Sequence, residues 1–194
     1  MKYPQLYQQF SQWTNIPTDQ WSMFESKLME RIFSKGEYFL QAGDKVLEFG
    51  IILNGIFRLY YTDKNGKEHI KTFRKNGDLL GAYAEMLMNI PSRTYIQAME
   101  SSKIILINKD DFYPFYTKHV CWQILGRIAA ERHFLSKEQR EFEFLQLDVI
   151  ERYQKFCDEF DCLIGKIPQH QIASYLGVTP VALSRVLSRS RKVK

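Results

Sequence analysis

The sequence predicts an α+β chain: an amino-terminal β-roll with flanking helices, a long helix after it, and a helix-turn-helix at the carboxyl end. Three observations carry this. Between 36 and 108, runs rich in β-branched and aromatic residues recur about every ten residues, separated by turn signals. From about 119 to Leu145 a helical pattern continues with little glycine or proline. Residues 167–187, IPQHQIASYLGVTPVALSRVL, fit a helix-turn-helix position by position. The expected division is a β-roll domain at 1–118, a long helix at 119–147 and a helix-turn-helix domain at 148–194.

Residues 1–35 read as helical. Thr18 is a plausible N-cap before DQWSMFESKLMERIF, where Trp21, Phe24, Leu28 and Ile32 recur at helical spacing, and Gly36 ends the pattern. The strands follow: EYFL, EFGIIL, IFRLYY, HIKTF, DLLGAY, TYIQAM and KIILIN. Asn54-Gly55, Asn65-Gly66 and Asn76-Gly77-Asp78 supply the positive φ of tight turns between them, which indicates an antiparallel sandwich or roll. Asp110 or Asp111 is placed to cap a short helix. In the long helix, Cys121, Leu125, Ile128, Leu135 and Phe142 lie near a 3–4–3–4 seam, interrupted by Arg132 and Gln139. Such a seam suits pairing with a second copy; the plainer alternative is a helix packed on its own roll. Leu125, Ile128, Arg132, Leu135 and Phe142 are the expected dimer contacts. VIERYQKFCDEF is a further amphipathic helix.

Composition excludes several classes. In 194 residues, 45% hydrophobic and 25% charged describe an ordinary globular chain rather than a disordered or disulfide-dense one. No stretch is apolar enough to cross a membrane, and the start has no signal-peptide pattern. We therefore expect a cytoplasmic protein with reduced thiols at Cys121, Cys157 and Cys162. The net charge of +5 is uneven: from Leu163 onward stand Lys166, Arg185, Arg189, Arg191, Lys192 and Lys194 and no acid. A basic end on a near-neutral body suggests a polyanion partner, or else a merely solvated tail.

The helix-turn-helix gives each position a physical task. Ala173 is small where two helices cross, Gly177 turns the chain, and Ile172, Leu176, Val178, Leu183 and Val186 bind the pair to the body. Thr179 can cap the second helix and Pro180 opens it. Val181, Ser184, Arg185 and Ser188 then share the opposite face, where a helix in the major groove meets base edges. Arg185 suits guanine through its bidentate fork. Arg189, Arg191, Lys192 and Lys194 suit phosphates, and Gln169 and His170 the backbone. Thr179 and Arg189 complete the expected DNA-binding set. Few residues follow the recognition helix, so no wing hairpin is expected after it.

Together, KGEYFLQAGD (35–44), FGIILNGIFRLYYTDKNGKEHI (49–70), NGDLLGAY (76–83), PSRTYIQAMESSKIILINKDDF (91–112) and the helix-turn-helix resemble the cyclic-AMP receptor protein / fumarate-nitrate regulator family of bacterial transcription factors. The resemblance implies a cyclic-nucleotide-binding-like jelly roll, a homodimer on a double-stranded, pseudo-palindromic DNA operator, and RNA polymerase as a further partner. It also implies a hinge at Leu147-Asp148-Val149. It places an effector pocket at Gly81, Tyr83, Glu85, Arg93 and Thr94. Gly81 and the Arg93-Thr94 phosphate pair match the family pattern, but Ala82 stands where nucleotide-binding members carry the glutamate that holds the ribose hydroxyl. That segment is also one residue longer than the usual spacing. A cyclic nucleotide is thus disfavoured, and an anionic effector, an apolar one or none remains. Arg93 has salt bridges to Glu85 or Glu100 as its plainer role, and Tyr83 and Tyr95 can line a different pocket.

Pro180 and Val181 replace the Arg-Glu pair with which familiar members open their recognition helix, so the operator should differ from theirs. The oxygen-sensing branch needs amino-terminal cysteines for an iron–sulfur centre, and none precedes Cys121. No metal or other cofactor is expected. An enzyme of the cupin type would need clustered ligands in the strands, where only His69 lies, so we expect no enzyme. The alternative function is an effector-binding module whose helix-turn-helix serves protein contacts. Salt separates the two, because DNA binding must weaken steeply as counterions are released.

Overall fold

A computed structural model describes residues 1–192; the side chains of Cys162 and of residues 189–192 fall outside the description. The chain divides into two compact units. The first comprises Met1–Leu59 and Phe73–His133, the second Tyr60–Thr72 and Phe134–Lys194. The segment 60–72 thus groups with the carboxyl-terminal helices.

Two four-stranded sheets form the roll. One has the order β1 (Met29–Phe33), β8 (Ser102–Asn108), β3 (Glu48–Asn54), β6 (Leu79–Leu80). The other runs β2 (Tyr38–Leu40), β7 (Tyr95–Ala98), β4 (Phe57–Thr62), β5 (Glu68–Arg74). The ladders of β8 with β1 and β3 are antiparallel, Met29 opposing Leu106 and Ile51 opposing Ile105. Phe33, Ile52, Phe57, Leu80, Ile96 and Ile104 fill the space between the sheets.

A second core lies outside the roll. Helices α1 (Pro4–Ser11) and α2 (Thr18–Glu25) pack with the start of the long helix α6 (Val120–Gln146). Phe24 meets Trp122 at 4.6 Å between ring centroids and Phe115 at 5.6 Å, edge to face. Each such ring, withdrawn from water, contributes about 1.5–3 kcal/mol. Short helices α4 (Lys109–Phe112) and α5 (Phe115–Lys118) precede α6, and α3 (Tyr83–Met88) follows β6.

The structure corrects four readings of the sequence. The helix expected to end at Gly36 stops at Glu25, and MERIF is β1, because β8 needs an edge partner; Ile32 is accordingly exposed, not core. Gly36 instead sits in the turn between β1 and β2. Pro17 occupies the cap position of α2, with Thr18 as its first helical residue. Asn108, rather than Asp110 or Asp111, caps α4 by accepting from the Asp110 N–H, and Asp111 pairs with Lys27 at 2.8 Å. Of DLLGAY only Leu79 and Leu80 are strand, and Tyr83 opens a helix.

In the second unit α6 ends at Gln146, and α7 (Val149–Glu159) begins after a break at 147–148. Asp148 makes that break definite. Its carboxylate accepts from the Ile150 and Glu151 N–H groups while Glu151 reaches back to the Asp148 N–H, closing a capping box. A short 3₁₀ turn (Asp161–Leu163) leads to α8 (Gln169–Tyr175) and α9 (Pro180–Lys192). No described helix is long and apolar enough to cross a membrane.

Candidate nucleic-acid interface and effector cassette

Helices α8 and α9 pack as the spacing of small and apolar residues demands. Ala173 and Leu183 have no exposed surface, Ile172 and Leu176 are buried, and Val178 and Val186 are half-buried. Gly177 ends α8 at φ +72°, and a Cβ there would overlap the ring of Phe144 from the end of α6, so two independent constraints demand glycine. Thr179 Oγ1 accepts from the Ala182 N–H at 3.1 Å, capping α9, with Pro180 at its first position. Behind the pair, Phe156, Phe160 and Tyr175 pack in tilted and edge-to-face contacts with centroids 5.2–5.7 Å apart.

This packing turns the other side of α9 to solvent. Val181 is 59% exposed, and Ser184, Arg185 and Ser188 are exposed. Ser188 Oγ donates back to the Ser184 carbonyl. Gln169 and His170 are exposed at the start of α8. The expected phosphate contacts of Arg189, Arg191, Lys192 and Lys194 fall on side chains outside the described set.

Two features here went unread in the sequence. The Arg140 guanidinium lies 3.7 Å from the centre of the Tyr175 ring and donates to the Tyr175 carbonyl at 2.6 Å. Arg152 donates to the Phe144 carbonyl at 3.0 Å and covers that ring. The first ties the end of α6 to α8 of the helix-turn-helix, the second ties it to α7. Burial pushes the Tyr175 phenol up to about 12. No local pattern marks such pairs, because 35 residues separate Arg140 from Tyr175.

The long helix presents a different face from the one read in the sequence. Leu125 is buried against Trp122 and Phe24, as is Cys121, so Leu125 has no surface to offer a partner. Arg132 is already engaged, with its guanidinium 4.4 Å from the centre of the Trp13 ring. Ile128 is half-buried. Leu135 and Phe142 are exposed at 63% and 56%, joined by Phe134 and Leu145, which the seam omitted. At about 100° per residue a 3.5-residue stripe slips around the helix, so one stripe cannot serve both ends of a straight helix.

In the first unit, the cassette after β6 is occupied by its own side chains. Gly81 approaches the backbone of Phe49, Ala82 is buried, and Tyr83 lies edge-on to His133. Glu85 is 1% exposed and accepts from Arg93 Nε at 3.3 Å, while the Arg93 side chain stays 62% exposed. Thr94 is fully buried; its N–H donates to Ser92 Oγ. Tyr95 meets Tyr38 edge to face, apart from Tyr83 in the ring contacts described. Of the two ion pairs expected for Arg93, the one to Glu85 is present.

A cyclic-nucleotide-binding-like roll followed by a long helix and a helix-turn-helix defines a structural class. Known proteins share this arrangement. The cyclic nucleotide-binding domain family matches residues 30–119. The Anaerobic regulatory protein of Aggregatibacter actinomycetemcomitans is 27% identical over 174 residues, 82% of this chain and 65% of that protein. The Fumarate and nitrate reduction regulatory protein of Yersinia pestis is 27% identical, over 81% of this chain and 67% of its own length. The matches thus span about two thirds of these relatives. FixK2 from Bradyrhizobium japonicum shares the fold at a TM-score of 0.73 and 19% identity, covering 85% of both chains. The c-di-GMP-responsive regulator CLP of Xanthomonas campestris does so at 0.69 and 11%, covering 91% and 92%. Over most of its length the chain is similar to the cyclic-AMP receptor protein / fumarate-nitrate regulator family.

Proposed function

We propose that this chain is a cytoplasmic, sequence-specific transcription regulator, not an enzyme. It binds double-stranded DNA as a homodimer and acts with RNA polymerase. The observation that carries the reading is the exposed face Val181, Ser184, Arg185 and Ser188, set on a helix whose opposite side is locked by Ala173 and Leu183. Arg185 reads a base, and Gln169, His170 and Thr179 flank it at the backbone. The names of the relatives, an anaerobic regulator and a fumarate and nitrate reduction regulator, support the same reading. The second copy pairs along Leu135 and Phe142, joined by Phe134 and Leu145, with Ile128 at the edge.

An effector at Gly81, Tyr83, Glu85, Arg93 and Thr94 acts by population shift, changing the separation of the two recognition helices. Because Glu85 already pairs with Arg93 Nε, an anionic effector competes with an internal carboxylate for that guanidinium, which disfavours cyclic AMP. The test is a fluorescence-anisotropy titration of duplexes selected by the protein. Arg185→Ala should reduce discrimination between selected and scrambled duplexes by about 1–3 kcal/mol. Unchanged discrimination in that variant sinks the assigned register.

A further inference from the structure

The hairpin between β4 and β5 has an unusual allegiance. Its strands belong to the roll, yet residues 60–72 group with the helix-turn-helix unit. One side chain makes the joint. Ser174 of α8 accepts the Ile70 N–H at 3.0 Å through its Oγ, and that hydroxyl donates to the Glu68 carbonyl at 3.4 Å. Ile70 is buried there. A single serine thus satisfies two backbone groups of β5 that would otherwise need water.

The tip beyond this joint is closed by its own hydrogen bonds. Asp63 Oδ1 accepts the N–H groups of Asn65 at 2.8 Å and Lys67 at 3.0 Å, and Oδ2 meets His69 Nε2 at 3.2 Å. The Asp63 N–H donates to the Lys67 carbonyl and the Gly66 N–H to the Asp63 carbonyl, with Gly66 at φ +79°. So one acid of the tip, Asp63, is spent on holding the turn, and the other, Glu68, is half-buried. Lys64 and Lys67 are exposed, beside the exposed Asn65 and His69, and neither lysine joins an ion pair among the described residues. Lys71 is drawn back, its ammonium 5.2 Å from the centre of the Tyr61 ring.

Position gives this pair of lysines a partner. Ser174 lies four residues after His170, on the same face of α8 and about 6 Å along its axis. His170 stands at the end of α8 assigned to the DNA backbone. Lys67 immediately precedes β5, three residues before Ile70, or about 10 Å of extended chain. A duplex carries one phosphate charge per roughly 1.7 Å of its axis, so a backbone passing His170 continues beneath anything set beside that face.

We infer that the β4–β5 tip is a second DNA-contacting element, in which Lys64 and Lys67, anchored by Ser174, bind phosphates flanking the bases read by α9. This rests on the DNA-binding reading above. It adds affinity without sequence preference, because phosphates are alike at every step. It also ties a strand hairpin of the roll to the bound duplex, so that a displaced hairpin weakens binding.

The experiment measures the affinity of the full chain, by anisotropy across a series of salt concentrations, for a duplex that the wild-type protein selects from a random pool. Lys64→Ala/Lys67→Ala should flatten the slope of log K against log salt by about 0.9 for each lost phosphate contact, or roughly eightfold in affinity per contact at 0.1 M salt. The preference for selected over scrambled duplex should not move. Lys64→Arg/Lys67→Arg should retain the slope. Ser174→Ala should reproduce part of the loss, and adding the lysine changes to it should cost less than on the wild type. An unchanged slope in the double alanine variant, with unchanged melting, overturns the inference, and a slope unchanged alongside altered transcription assigns the tip to a protein partner instead. Arg185→Ala separates the two proposals. If it abolishes preference while the lysine variant leaves the slope intact, the recognition helix stands and the tip does not; if no duplex is bound at all, both fall.

Discussion

Single residues in the second unit carry more than one duty. Gly177 must adopt φ +72° and also clear the Phe144 ring. Gly177→Ala should therefore cost about 1–2 kcal/mol for the left-handed backbone and more for the overlap. In a Phe144→Ala background only the backbone part should remain, and a denaturant double-mutant cycle reads the difference. The glycine was legible in the sequence from its place in the helix-turn-helix; the ring that presses on it was not, because that contact spans 33 residues between Phe144 and Gly177. Tyr175 gives a second test. Burial raises its folded value to about 12 from the ordinary 10, so the folded state holds a proton that the unfolded state loses first. Stability from this group is complete below pH 10 and declines between 10 and 12, by up to about 2–3 kcal/mol. Tyr175→Phe should flatten that alkaline decline in thermal melts, and an equal decline in both proteins would contradict the assignment.

At the scale of elements, the long helix changes its role along its length. Its first turns are core, with Cys121, Trp122 and Leu125 sealed by the aromatic cluster, and its later turns are open. Leu125→Ala should accordingly lower stability by about 2–5 kcal/mol without changing the oligomeric state. Leu135→Glu/Phe142→Glu should leave the fold intact and release monomers in sedimentation at micromolar protein. A dimer that survives the double glutamate variant would move the interface elsewhere. The extent of this helix was legible from sparse glycine and proline, but which face is buried was not, since Leu125 and Leu135 are equally apolar and only the packed aromatics distinguish them. The same limit explains β1. MERIF continues a helical spacing from Trp21, and the ladder with β8 that overrides it lies some seventy residues away in sequence. The turns fared better, because glycine at Gly55, Gly66 and Gly77 does what its missing Cβ allows, wherever the strands then pair.

For the whole molecule, the order of elements was readable because each carries its own periodicity and punctuation. The allegiance of residues 60–72 to the second unit was not, since nothing local to a hairpin records which helix will dock on it. The cassette shows the converse case: Ala82 in place of an acid was visible in the chain, and the Glu85–Arg93 pair supplies its structural complement. Binding of a paired operator requires two recognition helices held at a fixed spacing by paired stems. The most direct measurement is selection of bound duplexes from a random-sequence pool by the full-length chain. The account predicts an enriched inverted repeat, its half-sites about one helical turn apart, with binding that weakens steeply as salt rises. A pool that emerges without enrichment, or with a lone half-site, would contradict it.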